Sequence, residues 1–244
     1  MSDALTTAKR RLVYHTGITL GARPAVYYPA VRVTRRFDST SVARDTELVV
    51  EGYPRSANST TVHGILERQP RPLKIAHHKH HAAQLVRAAR WGIPAIALVR
   101  PPRDAILSFL ALAAEARARR GETGDGALTF EDAARGWRAF HLAIRPVRDE
   151  LVLAPFAWVT RDLAGVIEAT NRRYGLRLAS APVVRCDQPA LGWHARGNPL
   201  RAGVKERLAA AFDERLAGSP TLARLLAACE ALHAELVADA ERPR

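Results

Sequence analysis

Unbroken apolar runs alternate along this chain with segments whose apolar residues recur every three or four positions. Thr46–Tyr53 (TELVVEGY) and Ile93–Arg100 (IPAIALVR) have the character of strands covered on both faces. Pro72–His77 and Leu151–Thr160 predict two further strands. Helical periodicity marks Ser59–Glu67, His81–Trp91, Arg103–Arg120, Phe130–Val147 and Leu163–Tyr174. Pro102 sits near the first turn of one of these helices and Gly175 closes another. Val13–Phe37 mixes tyrosine, valine and arginine with Gly and Pro breaks, and predicts short extended pieces. Gly121–Gly126 (GETGDG) predicts a loop and Ala179–Arg201 an irregular stretch. Ala202–Leu216 and Thr221–Ala238 predict two closing helices. Strands alternating with helices predict an α/β fold, a three-layer parallel sheet with helices on both faces. We expect one domain over 1–244, with a nucleotide-binding core over 45–175 and an irregular segment and C-terminal helices over 176–244.

Composition narrows the class. The 244 residues are 48% hydrophobic and 25% charged, which excludes wholesale disorder. No apolar run approaches the roughly 20 residues of a membrane-spanning helix, and the first residues lack the apolar stretch of a signal peptide. Cys186 and Cys229 are too few for a disulfide framework. A cytoplasmic protein is expected.

Charge is the outlying property, at +13 from 37 Lys and Arg against 24 Asp and Glu. Only four of those cations are lysine, so the excess is arginine, whose planar fork grips phosphate or sulfate in two-point contacts. The excess fits an arginine-rich proteome as well as an anionic ligand. The arginines are scattered rather than striped and aromatics make up 6%, so no nucleic-acid partner is expected.

In a parallel sheet the ligand sits beyond the carboxyl ends of the strands, and two βα turns there carry informative residues. The first is Gly52-Tyr53-Pro54-Arg55-Ser56-Ala57-Asn58-Ser59-Thr60-Thr61, where a helix N-terminus, hydroxyls and an arginine can meet an anion. The same Ser, Asn and Thr residues also serve as ordinary helix caps. It is not a Walker A loop, since Gly-Lys-Ser/Thr is absent. The second turn runs from Arg100 through Pro101 and Pro102 to Ser108, and both polar ends can face one anion across a strand–helix junction.

Together these turns resemble the sulfotransferase family that uses 3′-phosphoadenosine-5′-phosphosulfate (PAPS), over about Thr46 to Gly175. Tyr53-Pro54-Arg55-Ser56-Ala57-Asn58-Ser59 matches that family's Tyr-Pro-Lys/Arg-Ser-Gly-x-Thr, with Ala57 in the glycine place and Ser59 in the threonine place. Arg100, Asp104 and Ser108 match its second motif. Thr160-Arg161-Asp162-Leu163 is a weaker echo of its Tyr-Glu-Asp-Leu, with Thr160 where a tyrosine is usual. The family's late Arg-Lys-Gly loop has no match beyond Arg201-Ala202-Gly203-Val204-Lys205; Arg196, Arg201 or Lys205 is its candidate replacement.

The resemblance implies a P-loop-nucleotide-hydrolase-like sulfotransferase fold and a PAPS-dependent transferase. It would move a sulfuryl group to a hydroxyl or amine of a small-molecule or glycan acceptor, without a metal. It implies that Arg55 and the Ser56, Ala57, Asn58, Ser59 and Thr60 turn hold the 5′-phosphosulfate. Arg100 and Ser108 would hold the 3′-phosphate, and Lys74 would assist the bridging oxygen.

Lys74-Ile75-Ala76-His77-His78-Lys79-His80-His81 supplies four histidines in five positions. At an extended strand end neighbours diverge, so one metal ion cannot readily gather them, and acid–base chemistry is the stronger expectation. The family's base is a histidine at the end of this strand. Counting back from Arg100 favours His78, counting forward from Lys74 favours His77, and His80 is third. A P-loop-fold nucleotide kinase and a non-catalytic nucleotide-binding relative are the alternatives.

Overall fold

Four strands pair in one parallel sheet in the order β2-β1-β3-β4: β1 (Leu48–Gly52), β2 (Ile75–His77), β3 (Ala95–Val99) and β4 (Val152–Pro155). A computed structural model of the chain provides these coordinates and describes residues 2–121, 128–181 and 199–240. The register sets Val50 beside His77 and Ile96, and Val99 beside Pro155, so the strands' carboxyl ends share one edge.

Every residue of β1 and β3 is buried, and their side chains divide by strand alternation into two cores. Val49, Ala76, Ala97 and Leu153 pack on one face with Leu85 of α4 (Ala82–Trp91), Ile106 of α5 (Pro102–Ala118) and Trp137 of α6 (Phe130–Ile144). Phe212 of α9 (Pro199–Gly218) and Leu226 of α10 (Pro220–Ala240) join that core. Val50, Ile96, Leu98 and Val152 pack on the other face with Ile65 of α3 (Asn58–Arg68), Val159 of α7 (Phe156–Arg161) and Ile167 of α8 (Leu163–Tyr174). The fold is therefore α/β, three layers deep, with a parallel sheet between helices.

Two expectations are corrected. Val13–Phe37 is not extended: it belongs to α1 (Ser2–Gly21) and α2 (Pro24–Val33). Tyr14 and Ile18 recur one helical turn apart, as do Tyr28 and Val31, and Gly21 and Pro24 mark where one helix ends and the next begins. Arg11 and His15 of α1 reach the fully buried carboxylate of Asp132 at the start of α6, each at 2.8 Å. Likewise, Leu151–Thr160 is a strand only as far as Pro155, which has no N–H to extend the ladder, and α7 follows. α9 begins at Pro199, two residues before the irregular stretch was expected to end. Residues 122–126 of the expected loop and 182–198 of the irregular stretch lie outside the described residues.

Candidate functional site

Strand order reverses at β1, which has β2 on one side and β3 on the other, so the turns after all three converge at one crevice. Gly52 permits the convergence. A Cβ there would lie 2.7 Å from the Leu98 carbonyl oxygen and 3.1 Å from the Ser56 Cβ.

In the first turn, Ser56 N–H donates to the Tyr53 carbonyl at 3.2 Å, and both Arg55 and Ala57 take φ of 72°. The left-handed region suits glycine, so Ala57 in the glycine place of the motif carries about 1–2 kcal/mol of backbone strain. No side chain caps α3 at this residue, which leaves the first-turn N–H groups directed toward the crevice.

Across the crevice, Arg100 directly follows β3. Its carbonyl accepts from Trp137 Nε1 at 3.1 Å, and its guanidinium carbon lies 4.2 Å from the centre of the Phe156 ring. Arg100 Nη1 donates to the Arg55 carbonyl at 2.6 Å, while Arg55 Nε donates to Ser108 Oγ at 3.1 Å. The two motifs are thus hydrogen-bonded to each other. Arg201 from α9 approaches the same group, its Nε 2.6 Å from Oε2 of the fully buried Glu115 carboxylate. Burial lowers the Arg55 pKa, and the positive charges of Arg201 and Arg100 lower it further. Glu115 meets the charge of Arg201, so the positive charge that faces the cavity is that of Arg55 and Arg100, which favours an anion there.

The third turn carries the histidines. His77 donates its N–H to the Thr40 carbonyl at 3.0 Å, its ring contacts the His78 ring edge to face, and burial pushes its pKa down. His78 takes φ of 59° and places Nε2 2.7 Å from Ser59 Oγ. His80 takes φ of 54°, with Nδ1 3.0 Å from the Gly52 carbonyl oxygen.

Both left-handed residues flank a buried acid that sequence reasoning missed. The Glu51 carboxyl accepts from the backbone N–H of Lys79 at 2.6 Å and of His80 at 3.1 Å, and from Asn58 Nδ2 at 3.3 Å. Burial raises its pKa to about 8, outweighing the backbone N–H bonds that lower it. The signal was present: Glu51 is the one charged residue of an otherwise apolar β1.

Arg55, Ser59, Thr60, His78, His80 and Arg100 all line one cavity of about 380 Å³. Ser56 Oγ and Arg100 Nε are buried beside it with no hydrogen-bond partner. Both are donors, so together with the first-turn amides they fit an anionic group such as a phosphosulfate. Lys74 is not brought to this site. It precedes β2, at the opposite end from the cavity, and its Nζ pairs with Asp45. Thr160 lines the cavity, but its hydroxyl donates to the Phe156 carbonyl of its own helix at 2.8 Å. Lys205 lies 3.8 Å from Asp104, and Arg196 is outside the described residues. Among the described residues, no three His, Cys, Asp or Glu side chains are grouped to hold a metal ion. Among them, too, no helix is long and apolar enough to cross a membrane.

No family model matches the chain, and no curated protein matches it in sequence. Among solved structures, mouse sulfotransferase SULT7A1 complexed with PAP is similar at 10% identity and a TM-score of 0.39, over 77% of this chain and 90% of that one. At that level the likeness carries no weight for function.

Proposed function

We propose that this chain is a PAPS-dependent sulfotransferase that moves a sulfuryl group to an acceptor hydroxyl. The observation that carries the reading is the direct hydrogen bonding of the two phosphate-type turns, Arg100 to Arg55 and Arg55 to Ser108, beside a histidine 2.7 Å from Ser59. The motif resemblance of those turns supports it as well.

Arg55, the Ser56 hydroxyl and the α3 amides hold the 5′-phosphosulfate and stabilise the charge that develops on the departing phosphate. Arg100 and Ser108 hold the 3′-phosphate, with Arg201 in place of the missing late loop. PAPS supplies the activated sulfuryl group. His78 takes the acceptor's proton through Nε2, with Ser59 orienting the ring in the resting enzyme. Glu51 holds the backbone of the histidine turn, and so sets where the imidazoles point. Lys74 has no part in this scheme, because its pairing with Asp45 keeps it at the far end of β2.

The test is transfer of label from radiolabelled PAPS to a library of hydroxyl and amine acceptors. Labelled product is the expected result. Failure to label any acceptor, with PAP and AMP bound equally, removes the proposal.

A further inference from the structure

A single exposed apolar side chain is ordinary on a protein surface, but their distribution here is uneven. Among the described residues, the large apolar side chains left exposed are Leu12, Val13, Val26 and Val33, at 67%, 62%, 42% and 84% of full exposure. All four belong to α1 or α2. Val13 also borders a cavity of about 370 Å³ together with Arg36, so the outward apolar surface is that of Leu12, Val26 and Val33. Charge in the same segment is equally one-sided: residues 1–37 hold seven Lys and Arg against Asp3 alone.

In α2, Val26, Pro29 and Val33 recur at intervals of three and four and form one outward stripe. Tyr27 and Tyr28 turn the other way and are buried. Arg23, Arg32, Arg35 and Arg36 are exposed around the two ends of that stripe. Asp38, which follows the segment, is met by Lys79 at 2.6 Å, and the buried Asp132 carboxylate holds Arg11 and His15 of α1 at 2.8 Å. The Asp132 contacts and the buried tyrosines keep both helices on the fold, so the stripe is a fixed face.

Aliphatic side chains ringed by arginine match a surface with anionic headgroups above hydrocarbon. The valines enter the boundary between the two, and each guanidinium fork meets lipid phosphate. A nucleic acid would use the arginines but leave the valines in water, and the rings that could stack on bases, Tyr27 and Tyr28, are buried. A stable contact with a second protein covers about 800 Å² on each partner with a continuous apolar centre, which a few valines spaced among cations do not supply.

We propose that the outer face of α2 is a docking surface for an anionic phospholipid bilayer, with Val26 and Val33 seated among the headgroups and the flanking arginines on their phosphates. This surface is independent of the sulfotransferase reading, because none of Val26, Arg32, Val33 and Arg35 lines the cavity between the two phosphate-type turns.

The test is co-sedimentation of the full chain with vesicles of phosphatidylcholine alone, or of phosphatidylcholine and phosphatidylglycerol in equal parts. Wild type should sediment with the mixed vesicles and stay in solution with the neutral ones. Val26→Ser combined with Val33→Ser leaves net charge unchanged and should weaken the partition by about tenfold. Arg32→Gln combined with Arg35→Gln should weaken it comparably. Arg172→Gln with Arg177→Gln removes the same charge from exposed positions on and just after α8, across the sheet, and should leave binding nearly unchanged. Undiminished sedimentation of the valine variant means adsorption through overall charge and overturns the proposal. Tighter binding of duplex DNA than of mixed vesicles at the same salt overturns it in favour of nucleic acid. A wild-type dimer that the valine variant converts to monomer on size exclusion overturns it in favour of a second copy. Should the double valine variant melt early, Val33→Ser alone, at the more exposed position, carries the same test.

Discussion

Arg100 donates from Nη1 to the backbone carbonyl of Arg55 at 2.6 Å, so the side chain just beyond one strand fixes the main chain of the turn after its neighbour. On the proposed reading, removing it takes away a phosphate donor and releases the turn. A charge-assisted contact is worth about 1.5–3 kcal/mol. Arg100→Ala should therefore weaken PAP binding about tenfold or more. Wild type should prefer PAP to AMP if, as proposed, the extra phosphate meets Arg100 and Ser108. Calorimetry with both nucleotides decides the matter, and equal affinities would favour a kinase-type site.

His78→Ala should lower kcat by about 10²–10⁴-fold with little change in PAP affinity, since the proposed base would meet the acceptor and not the nucleotide. His77→Ala should be mild, because that residue does not line the cavity. If His80→Ala is the crippling change and His78→Ala is tolerated, the base is the other cavity-lining histidine.

Glu51 gives stability a pH slope of known sign. Its folded pKa of about 8 lies above its ordinary value of 4.5, so between those values the folded state keeps a proton that the unfolded chain releases. That contribution is fully present below about pH 4.5 and is lost as pH rises through about 8. In Glu51→Gln the amide cannot ionise. Urea midpoints measured from pH 5 to 9 should show the variant gaining on wild type as pH rises. Parallel curves would mean that the carboxyl is already ionised at neutral pH.

Ala57→Gly should raise stability by up to about 1 kcal/mol, because relief at φ of 72° outweighs the added freedom of glycine in the unfolded chain. A fall in the denaturation midpoint would show that Ala57 is not strained there.

Much of this arrangement was legible in the sequence because it is local. The runs Leu48–Gly52 and Ala95–Val99 announce buried strands by hydropathy, and Arg55 and Arg100 follow within three residues, so placing the strands placed the arginines. α1 and α2 were missed because Gly17, Gly21, Pro24 and Pro29 read as breaks. Yet Gly17 and Pro29 lie inside helices held by burial of Tyr27 and Tyr28 and by the Asp132 ion pairs. Lys74 looked near the histidines by count, but a strand of three residues carries it to the opposite end from them. The role of Glu51 depends on donors 28 and 29 residues away, which no local pattern reveals.

The crowding of Arg55, Arg100 and Arg201 also bears on the choice of solution. A pocket that sets guanidinium groups beside the partnerless Ser56 Oγ and Arg100 Nε should take up whichever small oxyanion is most abundant. Phosphate, sulfate and sulfonate buffers should then compete with the proposed nucleotide, raising the melting temperature while lowering the apparent affinity. The proposed activity is therefore best sought in Tris and chloride, where no phosphate competes for the pocket.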